Sequence, residues 1–281
     1  MSDIQMHIPD PLSDYEWNSL LNTEAVTFIS DISNSLKYNN RFFADERLEK
    51  LLYEYSNDQR WSRHSNLELQ KGIVLYRGRI YKEDDFADRF NHPENYGSFQ
   101  GYDEENSFVV KNKSIIEKIE DGRANPSYIP YLYCASDIDT AILEIRSQPG
   151  EYVSIAKIET QTTLKIFDLS KNSTSVYDAS RPREQWINCF YLKLVSAFQR
   201  PYSRTGHYYF TQYVSEFLKN IGFDGIAFRS SVQLASIGDR GINYTVFNHE
   251  KCKAVSSSLY HIDEMTVKTR PKIEQQEGNS E

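Results

Sequence analysis

No run in this sequence approaches the roughly 20 consecutive apolar residues that a membrane helix needs. The opening MSDIQMHIPDP likewise has neither the basic nor the apolar region of a secretory leader. The expected compartment is the cytoplasm, with no membrane partner. Cysteine is scarce: the three thiols, Cys134, Cys189 and Cys252, are scattered and show no C-x-x-C spacing. That pattern fits reduced thiols better than a disulfide framework or a zinc site, so no metal is expected. Positive charge is in deficit as well. The net charge is -8, and a general nucleic-acid binder needs clustered Lys and Arg, so no direct nucleic-acid binding is expected. There is no P-loop, no G-x-G-x-x-G fingerprint and no G-x-S-x-G elbow, which leaves ATP use, Rossmann-type redox chemistry and Ser-His-Asp hydrolysis without local support. Cys134 has no recognisable catalytic partner, and no internal repeat is visible.

What is present suffices for a folded protein. The chain has 281 residues, 39% of them hydrophobic, enough to bury a core in one large domain with an extension or in two small domains. Its 20 Tyr and 15 Phe read as core and pocket walls before they read as base-stacking platforms.

Residues up to about Leu69 read as helical and as a separate layer. Leu48, Leu51, Leu52 and Tyr55 fall at i, i+3, i+4 and i+7, and Val26, Ile29, Ser33 and Leu36 suggest a weaker stripe before them. From Gly72 the pattern changes: GIVLYRGR is a β-branched run that reads as a strand delivering Arg77 and Arg79. Lys82 to Asp121 is polar, with a possible helix through Ile115, Ile116 and Ile119, and reads as a loop or lid, or equally as a surface insertion. GEYVSIAKIE and TTLKIFDLS read as strands, and a helix follows with Pro182 in its first turn. A further helix carries Phe210, Tyr213, Val214, Phe217, Leu218 and Ile221 on one face, with Gly222 in position to cap it. GFDGIAFRSS and GINYTVF are the last strands expected, and the chain after about Asp263 reads as a disordered tail. The expected organisation is an accessory helical region over 1–70, a catalytic domain over 71–260 and the tail over 261–281.

The densest chemistry lies in GRANPSYIPYLYCASDIDTAILEIR, Gly122 to Arg146. Arg123 enters a turn built on Pro126 and Pro130, and a strand-like YLY follows. Ser136 and Asp139 then resemble a capping box for a helix whose stripe is Ile138, Ala141, Ile142 and Ile145. On that helix Glu144 lies roughly 110° from the stripe's centre, so it can face away from the core contact. Taken singly, Arg77, Arg123, Glu144 and the Ser230-Ser231 pair each have an ordinary structural role as their default. Together they supply what an anionic sugar-phosphate ligand requires.

These residues also carry a resemblance. GRANPSYIPYLYCASDIDTAILEIR, then TQYVSEFLKNIGFDGIAFRSS with GINYTVFN, and LYRGR before both, are similar in order to the blocks of the RES family, across roughly Gly72 to Asn248. That family is named for its Arg, Glu and Ser, and its characterised members include bacterial toxins that destroy NAD. The resemblance implies an α+β fold like that of ADP-ribosyltransferases: a split mixed β-sheet with flanking helices, here with an N-terminal helical extension. It further implies NAD as substrate, with no metal. Arg77 and Arg123 match the family arginines, Tyr133 the pocket tyrosine, Glu144 the catalytic acid and Ser230 the serine, with Ser231 and Arg79 adjacent to two of these. One departure is Ser127, where many longer relatives place Gly after RANP. The implied function is a toxin of a toxin-antitoxin or phage-defence system. It would cleave the nicotinamide-ribose bond with water or inorganic phosphate as acceptor, and be restrained by an antitoxin encoded nearby. ADP-ribosyl transfer to a protein or nucleotide target, or a catalytically silent nucleotide-sensing module, are the alternatives, and the oligomeric state is open.

Overall fold

The computed structural model describes residues 14–41, 45–58, 61, 65–80, 117, 119–171, 181–200, 208–232 and 241–265. The chain opens with two helices, α1 (Asp14–Tyr38) and α2 (Glu46–Asn57), and continues with strands β1 (Asn66–Leu69), β2 (Val74–Ile80) and β3 (Leu132–Ala135). Helix α3 (Ile138–Glu144), strands β4 (Tyr152–Thr160) and β5 (Leu164–Leu169), and helices α4 (Pro182–Gln199) and α5 (Tyr209–Asn220) follow. Strands β6 (Gly225–Arg229), β7 (Ile242–Val246) and β8 (Cys252–His261) complete a mixed α+β fold.

All eight strands form one sheet in the order β1-β5-β6-β7-β3-β2-β4-β8. Only the β5/β6 neighbours are parallel, joined through α4 and α5, and every other pairing is antiparallel. The join between β3 and β2 consists of a single pair, Tyr76 with Ala135, whereas β2 pairs with β4 from Val74 to Ile80. The sheet is thus split: β1-β5-β6-β7-β3 on one side and β2-β4-β8 on the other diverge from that pair and open a cleft between them.

The α2 stripe is as the spacing predicts, with Leu48, Leu51, Leu52 and Tyr55 all buried. Asp45 caps the helix by accepting from the backbone N–H groups of Arg47 and Leu48. The stripe on α1 differs from the expected one. Leu21, Ala25, Ile32 and Leu36 are buried while Val26 is 49% exposed, because the helix presents to α4 the row that meets Trp186 and Phe190 through Phe28. These helices share one core with α4, α5, β5 and β6. Tyr55 stacks on Tyr191 of α4 at 4.7 Å, and the Tyr213 hydroxyl of α5 accepts from Asp45 N and donates to Glu49.

Two further differences concern strands. Asn66–Leu69, expected to be helical, is strand β1, because its backbone groups pair with β5 in register from Asn66–Phe167 to Leu69–Leu164. CKAVSSSLYH, expected to lie outside the strands, forms the ten-residue edge strand β8 on β4. The possible helix through Ile115 and Ile116, most of the 82–121 loop and the tail beyond residue 265 lie outside the described residues. Among the described residues no helix is long and apolar enough to cross a membrane.

Candidate active site

The GRANP segment is a turn held from three sides. Gly122 N–H donates to the Asn125 carbonyl at 2.9 Å, and Asn125 Nδ2 donates to the carbonyls of Glu120 and Pro126. The Tyr133 hydroxyl, arriving on β3, accepts from Ala124 N–H at 3.1 Å and donates to Asn125 Oδ1 at 2.7 Å. From α5, Gln212 donates to the carbonyls of Gly122 and Asn125, and Thr211 donates to that of Arg123. Gly122 must be glycine here: a Cβ would lie 2.4 Å from Asn125 Oδ1 and 2.8 Å from the Tyr133 hydroxyl. Burial pushes the Tyr133 phenol up to about 12, against the opposing effect of hydrogen bonds at Ala124 and Asn125 and the charges of Arg123 and Arg77. It is a neutral phenol that pins the turn.

Helix α3 begins one residue later than the capping-box reading places it. Asp137, not Ser136, is the N-cap, accepting from Thr140 N–H at 2.8 Å, because Ser136 is used elsewhere. Its N–H donates to the Ile242 carbonyl and its hydroxyl accepts from Ile242 N–H, which clips α3's entry to β7. Burial raises the Asp137 carboxyl, but hydrogen bonds from Ser136 and Thr140 outweigh it and hold the group below its ordinary value. The predicted stripe packs as expected: Ala141 is buried, with Ile138, Ile142 and Ile145 beside it against Val153 and Ile155 of β4. Gly78 of β2 permits this close seat, since a Cβ there would lie 3.0 Å from the Ala141 carbonyl and 3.1 Å from Ile145 Cδ1.

Glu144 therefore stands at the end of a helix pressed onto β2, turned from its own apolar stripe. Ser230, just after β6, donates to Glu144 Oε1 at 2.7 Å, and Asn243 of β7 donates to the same oxygen at 2.6 Å. Ser230 is fully buried and Asn243 nearly so, so both donors are fixed.

Glu144 lines a cavity of about 500 Å³, the size of a small-molecule site. Arg77 of β2, Arg123 and Tyr133 also line it, as do Ser231, Phe228 and Asn243 from the β6 and β7 side. The structure thus brings together Arg77, Arg123, Tyr133, Glu144 and Ser231 at one surface, with Ser230 immediately behind Glu144. Arg79 does not line it and is exposed. Arg123 is partly committed elsewhere. Its two terminal nitrogens donate to the carbonyls of Phe198 and Arg200 at 2.5 and 2.6 Å, at the C-terminal end of α4, and its guanidinium lies over the Phe228 ring at 5.4 Å. Cys134 lines the cavity too, but burial pushes its thiol far above the ordinary value, so it is an inert neutral group.

The model of the RES domain matches residues 111–267, more than half of the 281-residue chain. The chain belongs to the RES-domain family. The match spans the GRANP turn, α3 and both β6 and β7, and begins after the strand that carries Arg77. None of the curated proteins compared with the chain matches it. Among solved structures, one with a similar outline is the M. tuberculosis MbcT-MbcA toxin-antitoxin complex, at 13% identity, covering 77% of this chain and 93% of that one, with a TM-score of 0.37.

Within this RES domain, the residue that the sequence reading missed is Asn243. Its signal lay in the alternation of GINYTVF, where Asn243 and Thr245 occupy the positions between Ile242, Tyr244 and Val246 yet are themselves buried. A buried side-chain amide needs a partner, and here that partner is Glu144. Asn125, which holds the GRANP turn, likewise lay inside the GRANP motif without an assigned role.

Proposed function

We propose that this chain is a NAD-degrading, toxin-like enzyme that cleaves the nicotinamide-ribose N-glycosidic bond, with water or inorganic phosphate as acceptor. The observation that carries this reading is the carboxylate of Glu144, held at a cavity wall by two fixed donors on one oxygen. As the C1′–N bond breaks, its electron pair leaves with nicotinamide and positive charge develops over C1′ and the ring oxygen of the ribose. A pre-oriented carboxylate stabilises that charge more than it stabilises the ground state, either directly or by accepting from the 2′-hydroxyl. Attack of the acceptor oxygen at C1′, with loss of its proton, completes the reaction.

Arg77 supplies positive charge on the facing strand, suited to the diphosphate of the dinucleotide. Tyr133 and Phe228 give the cavity flat apolar surface against which a pyridine ring or ribose can rest. A toxin of this kind requires restraint, and an antitoxin protein is the proposed partner.

The test is to incubate purified protein with NAD and follow nicotinamide release with and without phosphate. Release by the wild type and its loss in Glu144→Gln are expected. No release, or undiminished release by Glu144→Gln, refutes the mechanism. Product analysis separates ADP-ribose from its 1″-phosphate and so identifies the acceptor, while label retained on a macromolecule points to ADP-ribosyl transfer instead.

A further inference from the structure

The two N-terminal helices reach the cavity through α5. On one side of that helix the Tyr209 ring lies under the Arg41 guanidinium at 3.7 Å. One turn on, the Tyr213 hydroxyl accepts from Asp45 N–H and donates to Glu49 Oε1, both at 3.0 Å. All three partners lie between the end of α1 and the first turn of α2. Thr211 and Gln212 point to another side, roughly 130° away at 100° per residue. Thr211 donates to the Arg123 carbonyl at 2.5 Å, and one amide nitrogen of Gln212 donates to the carbonyls of Gly122 and Asn125 at 2.8 and 3.1 Å. Both donors are buried, so these bonds are not freely exchanged for bonds to water.

The turn that α5 grips is a wall of the cavity, which Gly122, Arg123 and Tyr133 all line. Glu144 takes its donors from elsewhere, Ser230 after β6 and Asn243 on β7. The cavity therefore has two walls with separate supports. One is held through α5, and the other by the strands behind the carboxylate.

We propose that α5 is a strut through which the N-terminal helices set the position of the GRANP wall, with Gln212 and Tyr213 as positioning residues at its two contacts. Packed elements joined by fixed hydrogen bonds are a physical route by which one part of a chain places another. This deepens the proposed function, on which it rests for the identity of the substrate, and gives the helical extension a part in binding NAD without touching it. The GRANP wall binds and Glu144 reacts, so loosening the strut weakens substrate binding and spares the chemical step: KM rises while kcat holds.

The experiment measures hydrogen exchange across residues 119–133 of the full chain by mass spectrometry, together with KM and kcat for nicotinamide release from NAD. Wild type is compared with Gln212→Ala, with Tyr213→Phe and, as a control on α2, with Glu54→Gln, which breaks a surface pair with Arg183 of α4. Faster exchange of the turn and a KM raised about threefold or more are expected in Gln212→Ala and Tyr213→Phe, with kcat within about twofold of the wild type. Glu54→Gln should alter neither. Unaltered exchange of the turn in a folded Tyr213→Phe overturns the proposal whatever its melting temperature, as does unaltered exchange in Gln212→Ala. Raised exchange with KM unchanged, or a fall in kcat alone, overturns it too, and so does an equal response in Glu54→Gln. Absence of nicotinamide release by the wild type defeats the NAD-cleavage reading, and the exchange measurement then decides the strut by itself.

Discussion

Removing Asn243 offers a direct measure of how far Glu144 depends on its supports. The amide Nδ2 lies 2.6 Å from Glu144 Oε1 and the Ser230 hydroxyl 2.7 Å from the same atom, both within the range of charge-assisted hydrogen bonds. A hydrogen bond to a charged group contributes about 1.5–3 kcal/mol. If that orientation is needed at the transition state, Asn243→Ala lowers kcat by about 10- to 150-fold. Ser230→Ala should fall in the same range. The two donors hold one oxygen as a unit, so the double variant should cost less than the sum of the singles. Asn243→Asp sets a second carboxylate against Glu144 and should abolish turnover. The assay is nicotinamide release at saturating NAD, with a thermal melt to show that each variant folds. A folded Asn243→Ala with kcat within twofold of the wild type would mean that Glu144 needs no positioning from β7, and the reasoning fails.

Gly78→Val should lower turnover about tenfold or more and cost about 1–3 kcal/mol, since its methyls meet the backbone of α3 that now sits 3.0 Å from a bare Cβ position; kinetics and urea unfolding together check this, and a fully active variant would show that α3 seats elsewhere. Leu52→Ala should destabilise the whole chain by about 2–5 kcal/mol in urea, because Leu52 is fully buried in the core shared by α2, α4 and β5; a separately unfolding N-terminal transition would argue against one core. Arg123→Ala should lower the melting temperature as well as activity, because it frees the carbonyls of Phe198 and Arg200. With its pKa raised from 10.0 to about 12, the buried Tyr133 phenol contributes stability that is complete below about pH 10 and lost as pH rises toward 12; Tyr133→Phe should flatten part of that fall in a pH series of melts.

Much of the architecture was legible because local patterns agreed with their final burial. The stripes of α2, α3 and α5 and the Gly222 terminus, with φ +94°, follow from periodicity and from a residue that tolerates the left-handed region. The elements misread were those whose fate depends on a neighbour. Asn66–Leu69 is a strand because β5 offers an edge, and Ser256, Ser257 and Ser258 sit in β8 because β4 supplies the pairing on its one bonded side. An edge strand with much of its length exposed has little need of the apolar alternation by which strands are recognised. Similarly, Ser136 has the composition of a cap, and only its bonds to Ile242 reveal that the cap is Asp137.

For the site, sequence alone determined the residue types, their order and the helical face of Glu144, because these rest on side-chain chemistry and on the angular step of an α-helix. Which groups meet was decided by tertiary structure. Ser230 and Asn243 reach Glu144 across 86 and 99 residues, a convergence created by the antiparallel pairing of β6 with β7 and of β7 with β3. The commitment of Arg123 was decided there too: its guanidinium meets the carbonyls of Phe198 and Arg200 because of where the end of α4 comes to rest, and no spacing along the chain encodes that.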